Sequence, residues 1–179
     1  PLAQTPAPTL AVADDATGQQ LEQTAAAAYR AMAAAAGEVG IQLHLVEGYQ
    51  TAEQAQQAFD ARKQGYLDSG MSDADADARA ASIVPRPGCN ESVTGLAASI
   101  LAEGYDTMDT GFAGTDAFRW LSAYAADYGF IQRWPEDRQA ATGMVFEPWR
   151  WRYVGVENAR AIASSGLSLE EFLAVSQLG

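Results

Sequence analysis

The sequence predicts an α+β fold: a single compact domain with a small, mainly antiparallel sheet surrounded by helices. Four short strand-like segments lie among helices without alternating strictly with them, which argues against a parallel βαβ layout. The 179 residues suit one domain, and two would be cramped. Apolar residues make up 48% and charged residues 19%, a globular balance that excludes wholesale disorder. No internal repeat is visible.

Taken in order, residues 1–16 read as a flexible, Pro-rich lead-in to a domain covering 17–179. The start at Pro1, with no charged and apolar leader after it, reads as either native processing or an artificially chosen start. A first helix is expected over Gly18 to Ala36. Nine of the twelve residues from Ala25 to Ala36 are alanine, the best helix former, and Gly37 offers a stop. Ile41 to Val46 alternates Ile41, Leu43 and Leu45 with Gln42, His44 and Val46, the pattern of a strand with one buried face. Thr51 and Gln54 form a capping box for a helix to about Leu67. Ser72 caps a short helix ended by Pro85-Arg86-Pro87-Gly88. Leu96 to Leu101 is a strand, and Thr115 caps a helix running to Gly129. Phe130 to Arg133 and Met144 to Tyr153 are strands, the latter interrupted by Pro148. Val156 to Ser165 is a helix stopped by Gly166, and Ser168 with Glu171 boxes the last helix.

Charge narrows the partners. Eleven Lys+Arg against 23 Asp+Glu give a net charge of −12, and Lys63 is the single lysine. So acidic a surface repels phosphate backbones and anionic lipid, which excludes nucleic-acid binding as a function class. No apolar run approaches the ~20 residues of a membrane span, so no membrane insertion is expected of this chain. One cysteine, Cys89, rules out an internal disulfide. One histidine, His44, leaves too few imidazoles for the usual catalytic zinc site.

Two apparent motifs dissolve on inspection. Asp73, Asp75 and Asp77 mimic a calcium loop, but position six is Ala78 instead of glycine and position twelve is Val84 instead of glutamate. A Cys89 thiolate with His44 as base is chemically conceivable, but only Arg86 near Cys89 is cationic, and His44 sits on an ordinary strand.

The informative stretches are longer. They are Gly48-Tyr49; Pro87-Gly88-Cys89-Asn90-Glu91-Ser92-Val93-Thr94-Gly95-Leu96-Ala97; Tyr128-Gly129-Phe130-Ile131-Gln132-Arg133-Trp134-Pro135; Thr142-Gly143 followed by Glu147-Pro148-Trp149-Arg150-Trp151-Arg152-Tyr153-Val154-Gly155; and Leu167-Ser168-Leu169-Glu170-Glu171-Phe172-Leu173. In order and spacing these blocks resemble the zinc D-alanyl-D-alanine carboxypeptidases and dipeptidases that trim bacterial peptidoglycan stems, the vancomycin-resistance enzymes among them. The resemblance runs from about Leu21 to Leu173. It implies that family's compact α+β domain, a cleft for a stem peptide, and a location outside the cytoplasmic membrane.

The departures from the family pattern carry as much weight. The resemblance places the family's zinc ligands, two His and one Asp, at Ser92, Ser99 and Arg150. Neutral hydroxyls are poor zinc ligands and a guanidinium has no lone pair to offer. The family's substrate-steadying arginine is Gln50 here. Glu147 keeps the general-base position, but without zinc its water keeps the high pKa of bulk water instead of being lowered to near neutrality. The resemblance therefore implies a degenerate, zinc-free, cofactor-free carboxypeptidase-like protein. It would bind stem peptides through Tyr49, Gln50, Trp149 and Arg150, with Arg150 either paired to Glu147 or turned to solvent. Two other readings stay open: an active carboxypeptidase with an atypical metal site, and a scaffold domain with no cell-wall ligand.

Overall fold

The computed structural model describes residues 7–176. Near its start, β1 (Leu10–Val12) pairs antiparallel with β2 (Gln20–Glu22), Leu10 opposite Glu22. This corrects the flexible lead-in expected over 1–16, whose first six residues lie outside the described residues. The physical reason is burial plus edge coverage. Leu21 and Ala13 are buried in the main core. The Asp14 carboxylate accepts from the Leu45 amide at 2.8 Å, and the Thr17 hydroxyl donates to the Leu45 carbonyl at 2.8 Å. The segment thus covers an otherwise open strand edge. The same ribbon displaces the expected helix start. Helix α1 (Gln23–Glu38) begins only after Glu22, whose carboxylate accepts from the amides of Thr24 and Ala25 and so acts as its cap. Gly37 stays inside α1, and the turn to positive φ falls at Gly40.

The remaining elements follow the sequence more closely. They are β3 (Leu43–Glu47), α2 (Ala52–Asp68), α3 (Asp73–Ala81), β4 (Ala97–Ala102), α4 (Asp116–Tyr124), β5 (Phe130–Gln132), a one-turn α5 (Gln139–Thr142), β6 (Arg150–Tyr153), α6 (Val156–Ser165) and α7 (Leu169–Ser176). The Thr51–Gln54 capping box and the Ser168–Glu171 reciprocal bonds both form. Helix α4 stops at Tyr124, and a 3-10 turn carries the chain to Gly129, whose φ is +85°. The expected strand over 144–153 shrinks to β6, because Pro148 cannot donate to a ladder.

The main sheet has the order β3-β4-β6-β5, antiparallel throughout. Ala25, Ala26, Tyr29, Met32 and Ala36 of α1 share one core with Leu45, Ile100 and Trp151 of the sheet and with Phe112 and Leu121. Alanine on the helix side lets the backbone approach closely, which is why the alanine run is packing surface. Burying side chains such as Leu45, Ile100 and Phe130 contributes roughly 1.5–3 kcal/mol each.

One irregularity positions the site. Leu45 stands opposite Ile100, but Ser99 stands opposite Glu47, so Val46 is an extra residue in β3. Such a bulge re-aims the side chain that follows it. Without it Glu47 would fall on the same face as Leu45, in the core. With it, Glu47, Ser99 and Arg150 lie side by side across β3, β4 and β6.

Candidate functional site

The row of Glu47, Ser99 and Arg150 lies against a cavity of about 770 Å³, walled in part by α2, α3 and the segment before β6. Arg150 is only 6% exposed. Its Nη1 donates to Ser99 Oγ at 3.0 Å and its Nη2 to Ser92 Oγ at 2.7 Å. Ser99 Oγ in turn donates to Glu47 Oε2 at 3.0 Å, and that oxygen is 3.8 Å from Arg150 Nη1. Burial depresses the Arg150 pKa, opposed by the negative charges of Glu47 and Glu147. The Nε of Arg150 is buried and has no partner.

Ser92 reaches this cluster from a 3-10 turn, Glu91–Thr94, which Asn90 caps by accepting from the Ser92 amide. The turn ends at Gly95, with φ +70°. A Cβ there would lie 2.6 Å from the Glu22 amide nitrogen, and one on Gly48 would lie 2.2 Å from the Gln20 carbonyl oxygen. Both glycines let β2 press against the site's supporting loops, so the N-terminal ribbon helps to fix its wall.

Glu147 lines the cavity and is itself only 6% exposed. Burial pushes its carboxyl up to about 7, against the pull of the Arg150 charge. It forms no ion pair with Arg150, so neither expected arrangement of Arg150 holds. The guanidinium is neither paired to Glu147 nor turned to solvent. The sheet register hands it to Ser99 and Glu47 instead. Gln50 and Trp149 line the same cavity, whereas Tyr49 lines a smaller adjoining hollow with Gln50 and Gln54. Glu47 is the member that sequence reasoning missed. It directly precedes Gly48-Tyr49, but only the bulge turns it toward Ser99, and a bulge leaves no mark in hydrophobic alternation.

The other candidates lie elsewhere. Cys89 is exposed, His44 sits 3.8 Å from Asp14, and neither lines the cavity. Asp73 and Asp77 hold Lys63, and Asp77 also holds Arg86.

Two hydroxyls and a guanidinium do not fit a tetrahedral zinc ion, which takes imidazole, thiolate or carboxylate donors. Glu47 alone at the cluster supplies a suitable charge. Among the described residues no group of three or more His, Cys, Asp and Glu converges. What the arrangement offers is a fixed buried cation, a carboxyl near neutrality and aromatic walls, which suits an anionic ligand with an apolar body.

Comparison with known proteins agrees with the fold. A family described as D-alanyl-D-alanine carboxypeptidase matches residues 18–156. A D-alanyl-D-alanine carboxypeptidase of Enterococcus faecalis is 38% identical over 75% of this chain and 48% of its own length. The chain spans about half the length of such curated relatives. Among solved structures, VanYB in complex with D-alanine-D-alanine superposes with a TM-score of 0.86 at 32% identity, covering 97% of this chain and 92% of that one. A vancomycin resistance D,D-pentapeptidase in complex with Zn(II) gives 0.82 at 33% identity, covering 96% and 92%.

Proposed function

The chain belongs to the D-alanyl-D-alanine carboxypeptidase family, and from that premise we propose that it binds peptidoglycan stem peptides without cleaving them by zinc chemistry. The observation that carries this reading is the Arg150–Ser92–Ser99 cluster. It occupies the three positions that the family resemblance gives to zinc, and it fills them with donors instead of ligands. A solved relative holds D-alanine-D-alanine, which supports a peptide as the ligand class. Peptidoglycan lies outside the cytoplasmic membrane, and the protein is assigned there with its ligand.

The peptide's terminal carboxylate faces the Arg150 cation. Ser92 Oγ accepts from Arg150, so its own hydroxyl hydrogen remains available to the same carboxylate. Trp149 and Phe146 supply apolar wall for small side chains. Arg150→Ala should weaken a peptide with a free C-terminus by roughly 1.5–3 kcal/mol, the range for hydrogen bonds to charged groups. Calorimetry with free-acid and C-terminally amidated peptides tests this. Equal affinity for the two forms removes the carboxylate from the reading, and no heat at millimolar peptide leaves a scaffold.

A second reading rests on Glu147 alone. A carboxyl poised at about 7 beside a cavity has the proton affinity of a general base. Release of D-alanine from a D-Ala-D-Ala peptide, abolished in Glu147→Gln, would establish a hydrolase. One zinc per chain by elemental analysis would assign it a metal.

A further inference from the structure

Almost every basic side chain in this acidic protein has a partner of its own. Among the described residues, each Lys and Arg but two donates to a carboxylate, a hydroxyl or a backbone carbonyl. The two are Arg62 on α2 and Arg79 on α3, helices that pack on one another. Both are exposed, and both line the cavity that holds Arg150. Arg62 also borders an adjoining hollow of about 680 Å³ beside Tyr66 and Met71. Glu47, Ala58 and Val84 are common to both hollows, which makes them one groove.

With 23 acidic residues against 11 basic ones, an exposed arginine has acids in plenty to choose from. Leaving two arginines unpaired at the rim of one cavity reserves positive charge for something outside the chain. Four acids line the same cavity, Glu47, Asp109, Glu136 and Glu147, and none forms an ion pair with either arginine. Glu47 is engaged by Ser99, and Asp109 accepts from the Tyr105 hydroxyl and the Gly111 amide. The Arg62 charge also acts on Glu147 across the cavity, lowering the pKa that burial raises. A guanidinium fork suits a carboxylate, and two forks on adjacent helices can share one.

We propose that Arg62 and Arg79 form a second carboxylate-reading subsite at the rim, selecting peptides that carry an acidic residue upstream of a free C-terminus. The proposal rests on the reading that the cavity takes a peptide by its C-terminus at Arg150. An extended peptide advances ~3.3–3.6 Å per residue, so an acidic side chain three residues from the end lies about 10 Å from the terminal carboxylate. One ligand can then meet a buried cation and a rim cation at once.

The test is calorimetry with two synthetic pentapeptides ending in D-Ala-D-Ala, identical but for glutamate or glutamine at the second position. The intact protein should prefer the glutamate peptide by roughly three- to tenfold, the scale of two exposed charge contacts. That preference should shrink as salt is raised toward 1 M. In the R62Q/R79Q variant, its fold checked by circular dichroism, the two peptides should bind equally. If the intact protein binds both equally, or the variant keeps the preference, the subsite is overturned while the peptide reading stands. If neither peptide binds the intact protein, the peptide reading falls and the subsite falls with it.

Discussion

Two buried arginines stand opposite one another on neighbouring strands, Arg133 just after β5 and Arg150 at the start of β6, the Arg133 amide donating to the Arg150 carbonyl at 2.8 Å, and their charges are met in opposite ways. Arg133, 7% exposed, donates through Nε and Nη2 to Glu91 at 2.9–3.0 Å and through Nη1 to Glu170 at 3.1 Å. Arg152 adds a contact of 2.7 Å to the same Glu91. Arg150 is equally buried, but its hydrogen bonds go to neutral hydroxyls, its nearest carboxylate is at 3.8 Å, and its Nε has no partner. The ring of Trp134 lies within 5.6–6.0 Å of both guanidinium carbons, so the aromatic contact does not distinguish them. What distinguishes them is who neutralises the charge. At Arg133 the fold does so. At Arg150 much of the charge is left facing a cavity, the expected signature of a site completed from outside.

The comparison breaks most sharply at Arg133. Arg133→Ala leaves Glu91 with one partner and Glu170 with none. Breaking a buried pair by removing one member costs about 3–5 kcal/mol. The lower figure applies, because Arg152 still holds Glu91. Denaturant unfolding should show a loss of about 3 kcal/mol. A loss below about 1 kcal/mol would make this pair no better than a surface contact.

The two carboxyls beside these arginines should titrate with opposite effects. Burial opposes ionisation of Glu91, yet the hydrogen bonds from Arg133 and the charge of Arg152 hold its pKa below the ordinary 4.5. Its contribution to stability is present above pH 4.5 and is lost as pH falls through the lowered folded value. Glu147 is raised from 4.5 to about 7, chiefly by burial. The folded state keeps that proton longer than the unfolded chain does. Stability therefore falls as pH rises from 4.5 to about 7, and the full penalty persists above 7. Glu147→Gln should remove it, gaining about 2–3 kcal/mol at pH 8 and almost nothing at pH 4. A gain that does not change with pH would show that Glu147 is not destabilised by its own charge.

Much of this architecture was legible in the chain. The capping boxes at Thr51 and Ser168 and the glycine stop at Gly166 act within a few residues of themselves, so local sequence specifies them. Gln20–Glu22 was misread because its strand pairing comes from β1, and no helical propensity in the alanine run reports a partner eight or more residues away. Family resemblance named a set of positions, of which Ser92, Ser99, Arg150, Glu147, Gln50 and Trp149 line one cavity and Tyr49 lines an adjoining hollow. Which of them touch was not legible. The Arg150 partner depends on a cross-strand register, and that register depends on one extra residue, Val46.

Stability at Arg150 should respond in the other direction from Arg133. Replacing a buried charge that the fold does not neutralise with an apolar side chain of similar length is often neutral or stabilising. Arg150→Met should leave unfolding unchanged or raise stability by about 1–2 kcal/mol. A loss as large as that of Arg133→Ala would erase the contrast and make Arg150 a structural residue.

The smallest effect belongs to Ser99, and it probes how the Arg150 charge is held. Ser99 is fully buried in the middle of β4, between Glu47 and Arg150 in the cross-strand row. Its hydroxyl accepts from Arg150 and donates to Glu47, so it passes polarisation from a half-exposed carboxylate to a buried cation. Ser99→Ala removes both bonds together and changes little volume. The loss should be about 1 kcal/mol, because Glu47 can close on Arg150 directly from its present 3.8 Å. A double-mutant cycle with Arg150→Met isolates the link. If Ser99 stabilises the protein only by satisfying Arg150, Ser99→Ala should cost about 1 kcal/mol with arginine present and close to nothing in the Arg150→Met background. Equal costs in both backgrounds would mean that the hydroxyl serves Glu47 or the strand instead, and that Arg150 is held without it.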